Sequence, residues 1–271
     1  MRLRPLVFLV LAGFATWGIL LAQRPFQAYE TAEPHAVFDI PPDWNRPAEW
    51  TRARLMYHSP FTGPHGDVGA GYRRWTIDYP RSDRLLLQGI QRLTRIDTRS
   101  VEQSVPLDGT DEVYNWPTLY AVEVGYWDLS DAEAAQLRDF LLRGGFFMCD
   151  DFHGTIEWDN FMRSMSKVFP DRPVVDLDNK DPIFHVVYDL DDRFQVAGAQ
   201  YLQTGRRYEY DGYEAKWRGI YDDHGRVMVA ICHNMDLGDA WEWSNDPRYP
   251  AEWAGLAYRI AVNYFIYDLT H

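Results

Sequence analysis

One helix with clear end signals lies between two apolar segments, and this combination constrains the fold more than any other feature of the sequence. Ser130 and Glu133 have the spacing of a capping box, and Gly144 stands where a helix often ends in a left-handed residue. Residues 117–124 and 145–149 flank the helix and are largely apolar, which is typical of strands covered on both faces. This order predicts a right-handed crossover between two neighbouring parallel strands.

The same alternation of strands and helices continues on both sides of this unit. Residues 52–57 and 226–232 have strand-like sequences, Ser82 is a candidate helix cap, and a final helix is expected from Pro250. Asp211-Gly212 and His224-Gly225 are candidate hairpin turns, which predict an antiparallel excursion. We therefore expect an α/β fold with a doubly wound, mostly parallel sheet. The helix faces predicted to be buried contain Leu137, Phe140 and Leu141, then Trp253, Leu256, Ile260 and Tyr264.

The N-terminal part of the chain divides into two segments before this domain. Residues 1–22 carry Arg2 and Arg4 followed by an uncharged apolar run, which is the layout of a secretory signal cleaved after Ala22 or of a retained membrane anchor. Residues 23–50 contain five prolines and are expected to form an extended lead-in. The domain is predicted to span residues 51–271. This layout predicts an exported protein, either periplasmic or tethered to the membrane facing the periplasm.

Charge and cysteine content exclude several classes of protein. The net charge is −13, and it becomes −15 if residues 1–22, with two arginines and no acid, are removed. Nucleic acid and anionic lipid are therefore not expected as partners. Cys149 and Cys232 are the two cysteines, which excludes a scaffold stapled by several disulfides. Two buried thiols are the favoured interpretation, and a single bridge stays open.

Polar residues follow two of the predicted strands. Because the carboxyl ends of parallel strands meet at one edge of a sheet, the two groups are expected to converge there. Carboxylates and imidazoles in one place suit either a divalent metal such as zinc, manganese or calcium, or acid and base catalysis. The alternative is that they cap helices and bind loop amides. The candidate metal ligands are Asp150, Asp151, His153, His233 and Asp236, and the candidate catalytic residues are Asp151, His153 and His233.

The surroundings of these acids favour a cation. No lysine or arginine occurs in residues 149–160 or 227–247, so sequence neighbours cannot neutralise the carboxylates. Arg54, Arg206 or Arg207 could supply the charge from elsewhere in the fold. The loop histidines are expected to be solvated, and the acid and aromatic alternation of residues 239–243 is expected to reflect packing rather than sugar binding. These histidines are His35, His58, His65 and His224.

Several longer strings of the sequence resemble an uncharacterised bacterial family, the domain-of-unknown-function family 4159. The resemblance runs from about residue 51 to the C-terminus. It rests on Arg54-Leu55-Met56-Tyr57, Trp75-Thr76-Ile77-Asp78-Tyr79-Pro80, Leu142-Arg143-Gly144-Gly145-Phe146, Asp150-Asp151-Phe152-His153-Gly154 and His233-Asn234-Met235-Asp236-Leu237-Gly238-Asp239.

That family resembles the class I glutamine-amidotransferase superfamily, particularly its trehalose-utilisation branch, which implies a flavodoxin-like sheet. It implies no reaction and no catalytic residues. The sequence has no Gly-x-Cys-x-Gly or Gly-x-Ser-x-Gly elbow, which weakens glutamine hydrolysis. Two hypotheses follow: an exported, metal-dependent hydrolase-like enzyme, or a non-catalytic module for binding or interaction. Either could take a small molecule or carbohydrate, and partner proteins are not indicated.

Overall fold

The computed structural model describes residues 24–31, 33, 38–60, 62–66 and 71–271. Within them the strands are β1 (Ala53–Met56), β2 (Gln103–Pro106), β3 (Thr118–Ala121), β4 (Phe146–Cys149), β5 (Val175–Asp176), β6 (Lys216–Tyr221) and β7 (Val227–His233). The α-helices are α1 (Arg81–Leu93), α2 (Asp131–Leu142), α3 (Gly154–Val168), α4 (Tyr201–Thr204), α5 (Leu237–Glu242) and α6 (Ala251–Thr270). Short 3₁₀ helices span Gly71–Thr76, Asp111–Asn115, Val124–Tyr126 and Pro182–Phe184.

The strands form one sheet in the order β2-β1-β3-β4-β7-β6-β5. The five strands from β2 to β7 in this order are parallel, whereas β6 runs antiparallel to β7 and β5 antiparallel to β6. The predicted α/β class, with a mostly parallel sheet and an antiparallel part, is confirmed.

Helix α2 has the end signals expected from its sequence. The Ser130 hydroxyl accepts a hydrogen bond from the Glu133 amide at 3.3 Å, and the Glu133 carboxylate accepts one from the Ser130 amide at 2.7 Å. Gly144 follows the helix with φ of 105°, a left-handed conformation that favours glycine. The strands on either side, β3 and β4, are parallel neighbours as predicted. The predicted buried face is also confirmed, since Leu137, Phe140 and Leu141 are all buried.

The sheet separates two hydrophobic cores. Because side chains alternate along a strand, Tyr120 faces the core under α1, α5 and α6, whereas Leu119 faces the core under α2 and α3. The same alternation places Cys232 in the first core and Cys149 in the second. Both thiols are therefore buried and free, and no disulfide joins them. The buried residues Trp253, Leu256, Ile260 and Tyr264 of α6 confirm the predicted face of the last helix.

The hairpin expected around Asp211-Gly212 does not form, and that prediction was wrong. Residues 206–215 contain no strand, and the Asp211 carboxylate instead accepts hydrogen bonds from the Thr155 amide at 2.9 Å and hydroxyl at 2.8 Å. These bonds satisfy donors at the start of α3, so the turn serves a helix end rather than a strand pair. The hairpin at His224-Gly225 is confirmed, since it joins β6 to β7. Helix α1 begins at Arg81, after Pro80, and Ser82 lies inside its first turn.

The described part of the lead-in packs against the domain. The Trp50 indole donates a hydrogen bond to the Thr118 hydroxyl at 3.0 Å, and the Glu33 carboxylate accepts one from the Asp78 amide at 2.7 Å. None of the helices within the described ranges combines the length and apolar character needed to cross a bilayer. The predicted signal or anchor at residues 1–22, and also His35, lie outside the described residues.

Candidate functional site

The carboxyl ends of β3, β4 and β7 meet at one edge of the sheet, as the sequence predicts for parallel strands. The loops that follow β4 and β7 are joined there by two backbone hydrogen bonds. The Asp151 amide donates to the Met235 carbonyl at 3.1 Å, and the Asn234 amide donates to the Phe152 carbonyl at 3.0 Å. The structure therefore brings the two polar groups to the same edge.

Four residues at this edge have left-handed backbone conformations although none is glycine. They are Asp78, Glu123, Asp151 and Asn234, with φ between 54° and 63°. Such conformations cost roughly 1 kcal/mol or more each and are concentrated at functional sites in many proteins. These four residues carry three carboxylates and one amide.

Three aspartates at this edge form a buried cluster, which we call the acidic triad. Its members are Asp78, Asp151 and Asp236. Each offers a carboxylate oxygen, and these oxygens all lie within 4.8 Å of one another. The side chains are almost inaccessible, with 2%, 8% and 4% of their residue surfaces exposed. Burial, and then the neighbouring carboxylates, raise the pKa of each acid well above its ordinary value. The Oδ2 atom of Asp78 has no hydrogen-bond partner among the described residues.

The arginines that could have neutralised the triad are used elsewhere. Arg54 forms an ion pair with Asp83 at 2.8 Å, and both side chains are fully buried. The Arg207 guanidinium lies over the Trp253 ring at 5.4 Å, and Arg206 is exposed. Within the described ranges none of these three arginines forms an ion pair with the triad, although the charge of Arg54 interacts with Asp78 from a distance.

His153 connects the acidic triad to a neighbouring cavity. Its Nε2 atom lies 3.2 Å from Asp151 Oδ1, and its backbone amide donates to Glu157 Oε2 at 2.6 Å. The Nδ1 atom of His153 is buried and has no hydrogen-bond partner within the described ranges. The structure therefore brings Asp151 and His153 together.

The cavity beside His153 has a volume of about 240 Å³ and is strongly polar. Burial and nearby carboxylates raise the pKa of Glu123 to about 8 and that of Glu157 to about 8, while Arg74 opposes the shift at Glu123. Burial therefore favours the protonated form of both carboxyl groups, although Glu123 also forms an ion pair with Arg74 at 3.2 Å. The cavity is lined by Arg74, Glu123, Tyr126, Asp151, His153, Glu157, Glu209 and Tyr210.

His65 belongs to the same surroundings, which corrects the expectation that it is a solvated loop residue. Its ring stacks on Tyr210 with 3.7 Å between centroids, and its Nε2 atom lies 3.0 Å from Glu157 Oε1. A loop histidine can be placed in this way only by contacts distant in sequence.

Asp150 differs from the triad because most of its polar contacts are structural. Its Oδ2 atom accepts hydrogen bonds from the backbone amides of Leu237 at 2.7 Å and Gly238 at 2.9 Å, at the start of α5. Burial raises its pKa to about 7, although these amide bonds oppose the shift. The helix-capping alternative that the sequence left open therefore describes Asp150, and it also applies to Asp236, the N-cap of α5, whose Oδ1 atom accepts a hydrogen bond from the Asp239 amide at 2.7 Å.

His233 lies in a second cavity rather than in the acidic triad. Its Nε2 atom is 3.1 Å from the Gly154 carbonyl oxygen and its Nδ1 atom is 3.4 Å from an Arg218 guanidinium nitrogen. Burial, and then the charge of Arg218, lower its pKa to about 3, so the ring is neutral. Among the described residues, it belongs to neither group of candidate ligand atoms lying within 4.8 Å. The structure does not bring His233 together with Asp151 and Asp236.

The segment that alternates acids and aromatics forms α5 and packs as expected. Trp241 is fully buried, and its ring centroid lies 5.7 Å from that of Tyr120. Asp239 Oδ2 accepts a hydrogen bond from the Ala199 amide at 2.5 Å. The interpretation as packing is confirmed for Trp241.

Sequence reasoning missed several carboxylates that the structure places here, among them Asp78 and Glu123. Glu123 follows β3 directly, so the rule applied to β4 and β7 could also have found it. Asp78 precedes α1 in residues 75–80, whose sequence suggests a structural role only. No local signal connects Asp78 to Asp151.

Comparison with protein families finds a match over most of the chain. Residues 65–269 match the family model described as "Domain of unknown function (DUF4159)". The matched range includes Asp78, Asp151, Asp236 and His153. A comparison with curated proteins finds no match.

Proposed function

The chain belongs to the DUF4159 family of domains of unknown function, and we propose that the acidic triad at its sheet edge binds a divalent cation in a hydrolase-like enzyme. The observation that carries the proposal is the convergence of Asp78, Asp151 and Asp236 within 4.8 Å. Ligand oxygens around one calcium or magnesium ion lie at most about 5 Å apart. Buried carboxylates so close together repel one another unless a cation or shared protons offset their charge.

The chemistry of the ligands narrows the choice of metal. All three side chains offer carboxylate oxygen, and oxygen ligands suit magnesium, manganese or calcium better than zinc, which is usually held by sulfur and nitrogen. His153 contacts Asp151 at 3.2 Å and so acts on the site through a ligand, as outer contacts of metal sites commonly do.

The neighbouring cavity supports a catalytic role for this edge. A divalent cation held by the acidic triad would act as a Lewis acid and activate a water molecule or a substrate oxygen in the adjoining cavity. Asp151 contacts the His153 ring at Nε2, and the Nδ1 atom of this ring has no hydrogen-bond partner among the described residues. Glu123 and Glu157 supply further carboxyl groups in the same cavity. We propose that the substrate enters this cavity.

The fold supports a relationship to glutamine amidotransferases without their reaction. The parallel strands occur in the order β2-β1-β3-β4-β7, which corresponds to the flavodoxin-like order 2-1-3-4-5. The thiols cannot replace the missing nucleophile, since burial raises the pKa of Cys149 and Cys232 well above the ordinary value. We propose that this branch works at the same edge without covalent catalysis.

A non-catalytic binding module is the second candidate, and one observation favours it. A separate cavity of about 330 Å³ combines the aromatic rings of Trp158 and Tyr213 with Arg218 and His233, away from the acidic triad. Such a surface suits a small polar ligand or a sugar.

We further propose that residues 1–22 direct export of the protein or tether it to a membrane. Residues 51–271 are proposed to be the functional domain, and nucleic acid is not proposed as a partner.

Metal analysis of the purified protein tests the proposal. We expect bound or titratable magnesium, manganese or calcium, and a melting temperature that rises with the metal by mass action. Asp151→Asn should abolish this rise, whereas Asp159→Asn, on the exposed surface of α3, should keep it. A melting temperature that responds to none of these metals at millimolar concentration, with the same behaviour in Asp151→Asn, would overturn the proposal.

A further inference from the structure

A second group of carboxylates adjoins the acidic triad and shares one member with it. Glu33, Asp78 and Glu242 each offer an oxygen, and these oxygens also lie within 4.8 Å of one another. Asp78 therefore belongs to both groups, with Asp151 and Asp236 on one side and Glu33 and Glu242 on the other.

Helix α5 holds the two groups at a fixed spacing. Asp236 precedes the helix and accepts a hydrogen bond from the Asp239 amide at 2.7 Å, while Glu242 ends the helix and is fully buried. Gly238 lies between them. A Cβ atom at Gly238 would stand 2.1 Å from Asp78 Oδ2, so only glycine leaves room for the Asp78 carboxylate.

The Asp78 carboxylate itself indicates a missing ligand. The residue is 98% buried, since its relative exposure is 2%, and its Oδ2 atom has no hydrogen-bond partner among the described residues. A buried carboxylate oxygen without a partner is strongly unfavourable.

We propose that Asp78 bridges two divalent cations, one held with Asp151 and Asp236 and the other with Glu33 and Glu242. This inference rests on the proposed function and extends it from one metal to two. The number of ligands supports it, because five carboxylate side chains provide oxygens for two ions, three at each ion with Asp78 shared between them. Paired metals about 3.5 to 4 Å apart are a common arrangement in hydrolytic enzymes, where they hold both the attacking and the leaving oxygen.

The stoichiometry of Mn²⁺ binding tests the inference directly. Metal-stripped full-length protein would be equilibrated with Mn²⁺, and bound metal measured by elemental analysis after dialysis. We expect two ions per chain for the parent protein and one for Glu242→Gln. The paramagnetic resonance spectrum should show two coupled Mn²⁺ ions in the parent and an uncoupled ion in the variant.

Matched variants separate the two proposals. Glu252→Gln, on the exposed surface of α6, should retain two Mn²⁺ ions. Asp78→Asn should weaken the binding of both ions. Glu33→Gln provides a second test of the same site if Glu242→Gln does not fold. The paired site would be overturned if the parent bound one ion per chain that was lost in Asp151→Asn and retained in Glu33→Gln and Glu242→Gln. That result would leave the proposed function intact. No bound Mn²⁺ in the parent would overturn both.

Discussion

Asp78 and Asp151 come from different loops of the sheet edge, yet each brings a carboxylate oxygen to within 4.8 Å of the other. Both residues adopt left-handed backbone conformations, with φ of 60° and 54°. Two strained turns therefore hold the carboxyl groups of Asp78 and Asp151 close together at a buried site. The predictions below follow from this relationship and from the framework that supports it.

Gly238→Ala should disrupt the metal site without removing any ligand. The new Cβ atom would stand 2.1 Å from Asp78 Oδ2, so the carboxylate or α5 must shift, at a cost of about 1 to 3 kcal/mol. We expect a lower melting temperature and loss of its rise with Mn²⁺. Gly255→Ala is the matched control, since its Cβ meets nothing within 4 Å on α6. It should leave metal binding unchanged and stabilise the helix by roughly 0.5 to 1 kcal/mol. Equal Mn²⁺ responses in the two variants would contradict the packing argument.

His233→Gln should leave metal binding intact. The His233 ring contacts the Gly154 carbonyl and Arg218 in a separate cavity, not the carboxylates of the acidic triad. We expect the Mn²⁺ stoichiometry of the parent and a similar affinity, measured by equilibrium dialysis. Asp236→Asn serves as the comparison and should lose metal. If His233→Gln loses metal while remaining folded, the separation of the two cavities in solution is incorrect.

Leu137→Ala should destabilise the domain by about 2 to 5 kcal/mol, because the side chain is completely buried between α2 and the sheet. Leu142→Ala, at the end of the same helix, should change the free energy of unfolding by about 0.5 kcal/mol or less, since 47% of Leu142 is exposed. Urea denaturation of both variants provides the measurement. Similar losses at the two positions would show that the buried face of α2 is assigned incorrectly.

Asp268→Asn should stabilise the protein more at high pH than at low pH. Burial raises the pKa of Asp268 from 3.8 to about 7, against the opposing effect of its hydrogen bond from Thr118. Between these values the unfolded chain carries the charge while the folded chain holds the proton, so stability falls as pH rises through this window and stays reduced above it. The amide removes this loss.

The gain in unfolding free energy for Asp268→Asn should be at least about 1 kcal/mol larger at pH 8 than at pH 5. Urea denaturation at the two pH values measures it, with the exposed Asp159→Asn as the variant expected to show no such difference. A gain independent of pH would mean that Asp268 ionises in the folded protein as readily as in the unfolded chain.

The fold was predictable wherever local signals agreed with one another. Ser130, Glu133 and Gly144 define the ends of α2 through contacts within a few residues, so these signals can be recognised before the fold is known. Strands β2 and β5 gave no comparable signal: β2 is a four-residue segment ending in proline, and β5 has two residues. Their pairing depends on the strands beside them.

The site was predictable only in outline. The sequence by itself determined that polar residues follow β4 and β7, and the parallel sheet required them to share an edge. Tertiary structure alone decided which of them meet: it added Asp78 to Asp151 and Asp236, used Asp150 to cap α5, and turned His233 toward Arg218. The physical reason is that strand order and parallel direction follow from local patterns, whereas the direction of a side chain beyond a strand depends on loop conformations and on partners distant in the chain.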